Sequence, residues 1–221
     1  MHSDSAKIEI TEPRLFTIGA VAVVNAYGLA LGTPIFLSII VISVIKFGTL
    51  TVLLPLLAVA ATAYFLPFGL GNAHVIRLVR SLNPVVVDES EDGFIVQLTL
   101  SPRLRGGLRA LLEDADDIGY LTLSGKELRF QGDSVRLSVP WNEIQLVRPR
   151  NIGLRGLFVY GRRIKVVVAG WPQVESFEFA ERSSWLLPAS RATTRKLYEL
   201  LSATAPQMRK QGAFAPTSDW R

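Results

Sequence analysis

The sequence predicts an α-helical hairpin in a membrane followed by a β-rich domain, and three observations carry that prediction. Residues 15–70 hold a single formal charge, Lys46. About 20 apolar residues span ~30 Å of hydrocarbon, so this run is long enough for two crossings and short for three. From Gly119 onward, short apolar-polar alternations follow one another across Gly- and Ser-containing turns, which is the pattern of antiparallel strands. One amphipathic segment then closes the chain, so the second unit is expected to be a small antiparallel barrel of about seven strands with a C-terminal helix.

Residues 1–14 carry Asp4, Glu9 and Glu12 beside Lys7 and Arg14 and read as a disordered N-terminus. The apolar run that follows outlasts the h-region of a signal peptide and lacks an A-x-A site followed by polar chain, so no cleavage is expected. Two turns could divide it, Gly32-Thr33-Pro34 and Lys46-Phe47-Gly48. The first would bury Lys46 near mid-bilayer, where a charge costs ~2.5 kcal/mol or more. The second is therefore chosen, with spans at about 16–45 and 50–69 and a juxtamembrane helix completing a 15–82 unit. Lys7 and Arg14 flank one end and Arg77 and Arg80 the other. The positive-inside bias then places both termini in the cytoplasm, at a plasma or inner membrane. Gly28, Gly32, Ala22 and Ala26 form a stripe of small residues. Such a stripe packs one span on the other or, alternatively, makes a homodimer contact.

Asn83-Pro84 ends the juxtamembrane helix, because proline biases the preceding residue away from the α region. The expected strands are Phe94–Leu100, Tyr120–Leu123, Leu128–Gln131, Val135–Val139, Ile144–Arg148, Phe158–Tyr160, Ile164–Val168 and Ser176–Phe179. Ser101-Pro102 reads as a helix start with Leu104, Leu108, Leu111 and Leu112 on one face, although Gly106-Gly107 weakens it. The last helix takes Ser190 as its cap, Leu197, Leu200 and Leu201 as its apolar stripe, and Pro206 as its stop. The β-rich unit is thus expected over 88–206, with 207–221 as a disordered tail.

Charge and composition exclude several classes of function. The net charge is +5, and residues 75–221 hold 21 Lys and Arg against 16 Asp and Glu, so the excess favours an anionic partner surface. No cysteine is present, which removes disulfides, thiolate metal sites and cysteine nucleophiles. No H-E-x-x-H, G-x-S-x-G or P-loop pattern occurs, so no catalytic, cofactor-binding or metal residues are assigned and an enzyme is not expected. Glu113-Asp114-Ala115-Asp116-Asp117 lacks the spacing and closing glutamate of an EF-hand and reads as a solvated loop. His74, at the exit of the second span, reads as structural. Nucleic acid is disfavoured because no recognition motif accompanies the basic charge. From Ile144 to Val174 there is no acid, while Arg148, Arg150, Arg155, Arg162, Arg163 and Lys165 all occur. These six are the candidate lipid- or partner-binding residues. The alternative is that some pair across the fold with Glu175, Glu178, Asp114 or Asp116.

Gly119-Tyr120-Leu121-Thr122-Leu123-Ser124, then Leu128-Arg129-Phe130-Gln131-Gly132, then Leu137-Ser138-Val139-Pro140-Trp141-Asn142-Glu143-Ile144 resembles the opening strands of a pleckstrin-homology-like domain of the GRAM or bacterial PH type. The resemblance covers about residues 94–203, departing from the family in the long 101–118 connection. It implies a fold used for lipid headgroups, peptides or protein partners, and no catalytic residue to carry over. The expected function is accordingly an integral membrane protein with a membrane-proximal binding or scaffolding module, contacting anionic headgroups or a protein partner. The alternative is an accessory subunit of a transporter or envelope-assembly complex whose β-domain is purely structural.

Overall fold

The computed structural model describes residues 6–24, 71–82, 93–104, 115–150, 163–171 and 174–205. Among the described residues eight antiparallel strands form one sheet: β1 (Lys7–Ile10), β2 (Gly93–Ser101), β3 (Asp117–Leu123), β4 (Glu127–Gly132), β5 (Val135–Pro140), β6 (Ile144–Arg150), β7 (Arg163–Val168) and β8 (Ser176–Glu181). Their spatial order is β1-β5-β4-β3-β2-β8-β7-β6. Helical segments cover 18–24 (α1) and 71–80 (α2), and Leu187–Thr204 forms α3.

The sheet curls onto itself. β4 and β8 are separated by two strands, which in a flat sheet would put them roughly 14 Å apart at the usual ~4.8 Å spacing. The Phe130 ring on β4 nevertheless lies 6.1 Å from the Phe179 ring on β8. Alternate residues of each strand line the enclosed core, among them Val96, Leu98, Leu128, Phe130, Leu137, Ile164 and Phe177, and Leu197 and Leu201 of α3 complete it. Trp141, in the one-turn 3₁₀ helix after β5, closes one end and donates its indole N–H to the Ser124 carbonyl at 2.9 Å.

The opposite face of β2 and β3 is covered separately. Phe16, Val21 and Val24 from the α1 segment and Val75 and Val79 from α2 pack with Ala115 and Ile118, flanked by Ile95 and Tyr120. Asn72 of α2 ties this layer to the chain beyond β8, donating its amide to the Ser184 carbonyl at 2.6 Å.

These contacts correct the expected helical membrane hairpin. Among the described residues no helix is long and apolar enough to cross a membrane. The physical reason is visible where the apolar run begins and in the segment just past its end: Phe16 and Val21, then Val75 and Val79, are fully buried against the sheet, so their hydrophobicity is satisfied by protein rather than lipid. The integral-membrane function and localisation that rested on the hairpin are withdrawn with it. Residues 25–70, with Gly28, Gly32, Ala26 and most of both expected spans, lie outside the described residues, and Ala22 is exposed on α1.

Other elements shift for local reasons. Lys7–Ile10 is a strand where a tail is expected, because its alternation matches the open edge of β5 in the register Lys7↔Ser138 to Ile10↔Val135. Ser101 ends β2 instead of capping a helix. α3 begins at Leu187 with Pro188 in its first turn, where the fixed φ of proline is suited to helix entry; Ser190 is therefore inside the helix, donating its N–H to the Leu186 carbonyl at 2.9 Å. The expected strand Phe158–Tyr160 lies outside the described residues.

One close approach sets the β3–β4 pairing. A Cβ on Gly119 would lie 2.1 Å from the Gln131 carbonyl oxygen and 2.6 Å from the Gly132 Cα, and backbone atoms cannot move aside as a side chain can. Gly119→Ala is expected to destabilise the fold by about 3 kcal/mol or more through overpacking. Gly125→Ala, at an open turn with nothing within 4 Å, should stay within about 0.5 kcal/mol. Denaturant melts of the two variants check the contrast, and equal stabilities would contradict the packing described.

Candidate functional site

The sheet face turned away from the core divides into two polar regions. On β6-β7-β8-β2, the register aligns Arg148 with Lys165, Lys165 with Glu178 and Glu178 with Thr99. Glu178 is the centre of this region. Its carboxylate pairs with Arg150 through one oxygen and with Arg163 through the other, the latter at 3.5 Å. Arg163 also donates to the Thr99 hydroxyl at 3.3 Å. The Arg163 and Glu178 side chains are only 2% and 4% exposed, so this is a buried ion pair.

The six candidate basic residues are thus divided. Arg163 is inside, Arg150 is half-exposed and paired, Lys165 is half-buried beside Glu178, and Arg148 is exposed. Arg155 and Arg162 lie outside the described residues. The absence of acids between Ile144 and Val174 did not mean absence of counter-charge, because antiparallel pairing brings Glu178 alongside from the next strand.

The second region, on β1-β5-β4-β3, is a groove of about 720 Å³. Its rim carries Lys7, Glu9, Arg129 and Arg136, and Tyr120, Thr122, Gln131 and Ser138 supply hydroxyl and amide groups. Strand alternation puts these residues on one face, with the register Glu9↔Arg136, Lys7↔Ser138 and Thr122↔Arg129. Arg129 pairs with Glu127, and Arg136 with Glu9 at 3.7 Å. Both guanidinium groups are largely solvent-facing, at 60% and 69% exposure. Burial works to raise the Glu127 carboxyl, but hydrogen bonds from Ser138 and Arg129 and the charges of Arg129 and Lys7 outweigh it and hold the group below its ordinary value. Glu127 therefore stays ionised beside Arg129 at the groove.

The β4–β5 turn holds a third polar cluster with a structural task. Asp133 accepts the backbone N–H groups of Arg14, Leu15 and Phe16 through one oxygen, at 2.8–2.9 Å. Beneath it Asp117 accepts those of Ser134 and Val135 at 2.8 and 2.7 Å. Asp116 is also buried and accepts the Leu100 and Leu104 N–H groups at 2.8 and 3.2 Å. Asp116 and Asp117 are consequently strand-end fasteners, not the solvated loop expected for the acidic run. Burial pushes the Asp117 carboxyl up to about 6, aided by the charge of Asp133 and opposed by its backbone donors. Among the described residues no group of three acids or histidines could hold a metal. His74, on α2, is held below its ordinary value by partial burial and then by Arg77.

The groove residues carry a signal in the sequence itself. Lys7-Ile8-Glu9-Ile10, Leu128-Arg129-Phe130-Gln131 and Leu137-Ser138-Val139 each alternate polar and apolar, and hairpins short enough to join neighbours put their polar members on one face.

Removing Glu178 should be costly and removing Arg150 should not. Glu178→Ala leaves Arg163 buried without this carboxylate and is expected to destabilise by about 3–5 kcal/mol, whereas Arg150→Ala should cost at most about 1 kcal/mol; urea titration measures both. Asp117 makes a pH-dependent contribution of opposite sign to an ordinary salt-bridged acid. With its folded value raised, the native state binds the extra proton, so stability is fullest below about pH 4 and falls as pH rises toward 6. Asp117→Asn still offers an oxygen to Ser134 and Val135. Relative to wild type it should gain about 2–3 kcal/mol between pH 4 and pH 7, and a constant difference across that range would show that the carboxyl is not shifted. Neither a protein-family model nor a curated protein matches this chain.

Proposed function

We propose that this chain is a non-catalytic binding module of the pleckstrin-homology-like kind, and that the groove on β1-β5-β4-β3 takes an acidic segment of a protein partner. Support for the module comes from element order: seven antiparallel strands, β2 to β8, followed by α3, in the order that the family resemblance implies.

The observation that carries the ligand class is the charge at the groove. Lys7, Arg129 and Arg136 face Glu9 alone among its lining residues. Arg136 and Glu9 form an exposed pair, worth only ~0–1 kcal/mol, so a ligand carboxylate can replace it at little cost, while the 60% exposed Arg129 guanidinium can take a ligand carboxylate beside Glu127. At about 720 Å³ the groove falls within the usual range of ligand sites, roughly 300–1,000 Å³. Open, hydroxyl-lined and made of strand side chains, it suits an extended acidic peptide better than an apolar small molecule.

The test uses the full chain with a fluorescent oligoglutamate peptide and an oligolysine peptide as control. The acidic probe should bind, and binding should weaken as salt shortens the Debye length from ~10 Å at 0.1 M to ~3 Å at 1 M. The double variant R129E/R136E should lower affinity at least tenfold, about 1.4 kcal/mol, while the thermal midpoint changes little. Equal binding of both peptides, or wild-type affinity in the double variant, would overturn the reading.

A further inference from the structure

We infer that the outer edge of β5 is a docking site for an extended strand from a partner protein, and that β1 is this chain's own occupant of that site, able to be displaced. The inference goes beyond the groove, because it concerns main-chain pairing along the edge rather than the side-chain face.

β1 is the least buried strand of the sheet. Of its four residues only Ile8 is even half-buried, and Ile10 is exposed. Its pair with β5 is closed by the Ala6 N–H on the Glu143 carboxylate at 3.0 Å, by Thr11 on the Ser134 carbonyl, and by the exposed Glu9–Arg136 pair. The edge beneath is much better built. Val135, Leu137 and Val139 of β5 are buried and belong to the main core, so the edge persists when β1 leaves it.

A built-in hinge accompanies the strand. Immediately after β1 the chain is anchored by the three N–H bonds to Asp133, and Phe16 beyond them is fully buried. Charge-assisted bonds are the stronger ones, and three of them with the buried Phe16 hold residues 14–16 against a single one, from Ala6 to Glu143, on β1, so residues 6–11 can lift away while 14–16 stay fixed. The other sheet edge is protected: β6 carries Pro149, which has no N–H to offer, between Arg148 and Arg150, the features that discourage strand addition.

The occupant already seated defines the chemistry of the partner. A segment alternating basic, apolar, acidic and apolar residues would set its first apolar side chain where Ile8 sits opposite Leu137, and its acid opposite Arg136. Main-chain pairing would supply affinity and these two contacts the register, as in β-strand addition generally.

The experiment uses the full chain and a synthetic peptide of residues 6–12. In wild type the tethered strand competes at high effective concentration, so the peptide should bind at least tenfold more weakly than to Ile8→Asp, in which β1 is disfavoured. A peptide carrying the same Ile8→Asp change should not bind either chain. Should Ile8→Asp fail to fold, amide hydrogen exchange of wild type decides: Lys7–Ile10 should exchange at least tenfold faster than β8. Equal peptide affinity for the two chains, no binding to a folded Ile8→Asp chain, or β1 protected as strongly as β8 would each overturn the inference. A wild-type dimer that Ile8→Asp dissolves would also overturn it, assigning the edge to a second copy of this chain.

Discussion

The turn at Gly132-Asp133-Ser134 is the constraint on which the N-terminal side of the molecule depends. Asp117 grips it from within through the Ser134 and Val135 N–H groups, and Asp133 reaches outward to three consecutive N–H groups of the incoming chain. The Ser134 and Val135 donors on Asp117 are buried and would otherwise be unpaired, a penalty of ~1–3 kcal/mol per group, whereas those on Asp133 run from exposed at Arg14 to part-buried at Leu15 and Phe16. Gly132 makes the arrangement possible, since a Cβ there would sit 2.2 Å from the Asp117 carboxylate oxygen. Take this turn apart and β1 loses its anchor, Phe16 loses its position, and the cluster joining α1, α2 and the outer face of β2-β3 has no beginning.

The two polar regions of the sheet differ in what burial does to charge. Around Glu178 the ions are withdrawn from water, so the energetic issue is compensation: removing one partner leaves another stranded, whereas the assembled pair contributes little net stability. This region reads as architecture. In the groove the cations remain largely in water, and the exposed Arg136–Glu9 pair is weak enough to exchange partners. Function is expected where charges are held in place but not consumed, and the Glu127–Arg129–Ser138 arrangement fixes one cation beside the groove in that manner.

The apolar stretch from Leu15 illustrates how one composition supports two physical outcomes. Hydrophobic residues in a long uncharged run reduce their exposure either in lipid or against a complementary protein surface. Ile95, Ile118 and Tyr120 on β2-β3 provide such a surface, and Phe16, Val21, Val75 and Val79 are buried on it. A sequence window weighs only the hydrophobicity of the run itself, so it could not see that a sheet face more than seventy residues further along the chain was waiting for its first residues.

Local pattern by itself determined most of the sheet. The alternations at Leu128–Gln131, Val135–Val139 and Ile164–Val168 each became a strand, because period-two burial and tight turns act between near neighbours and need no knowledge of the rest of the chain. The terminal helix was legible for the same reason, in Leu197 and Leu201. Only the tertiary structure decided that Lys7–Ile10 joins β5, that Asp116 and Asp117 fasten strand ends, and that Glu178 neutralises arginines drawn from an acid-free segment. Those outcomes depend on which strands become neighbours, and pairing between residues as distant as Glu9 and Arg136 or Arg150 and Glu178 is set by the closure of the whole sheet. The groove belongs to both levels: its residues alternate visibly along each strand, but their convergence into one charged surface exists only once β1, β5, β4 and β3 lie side by side.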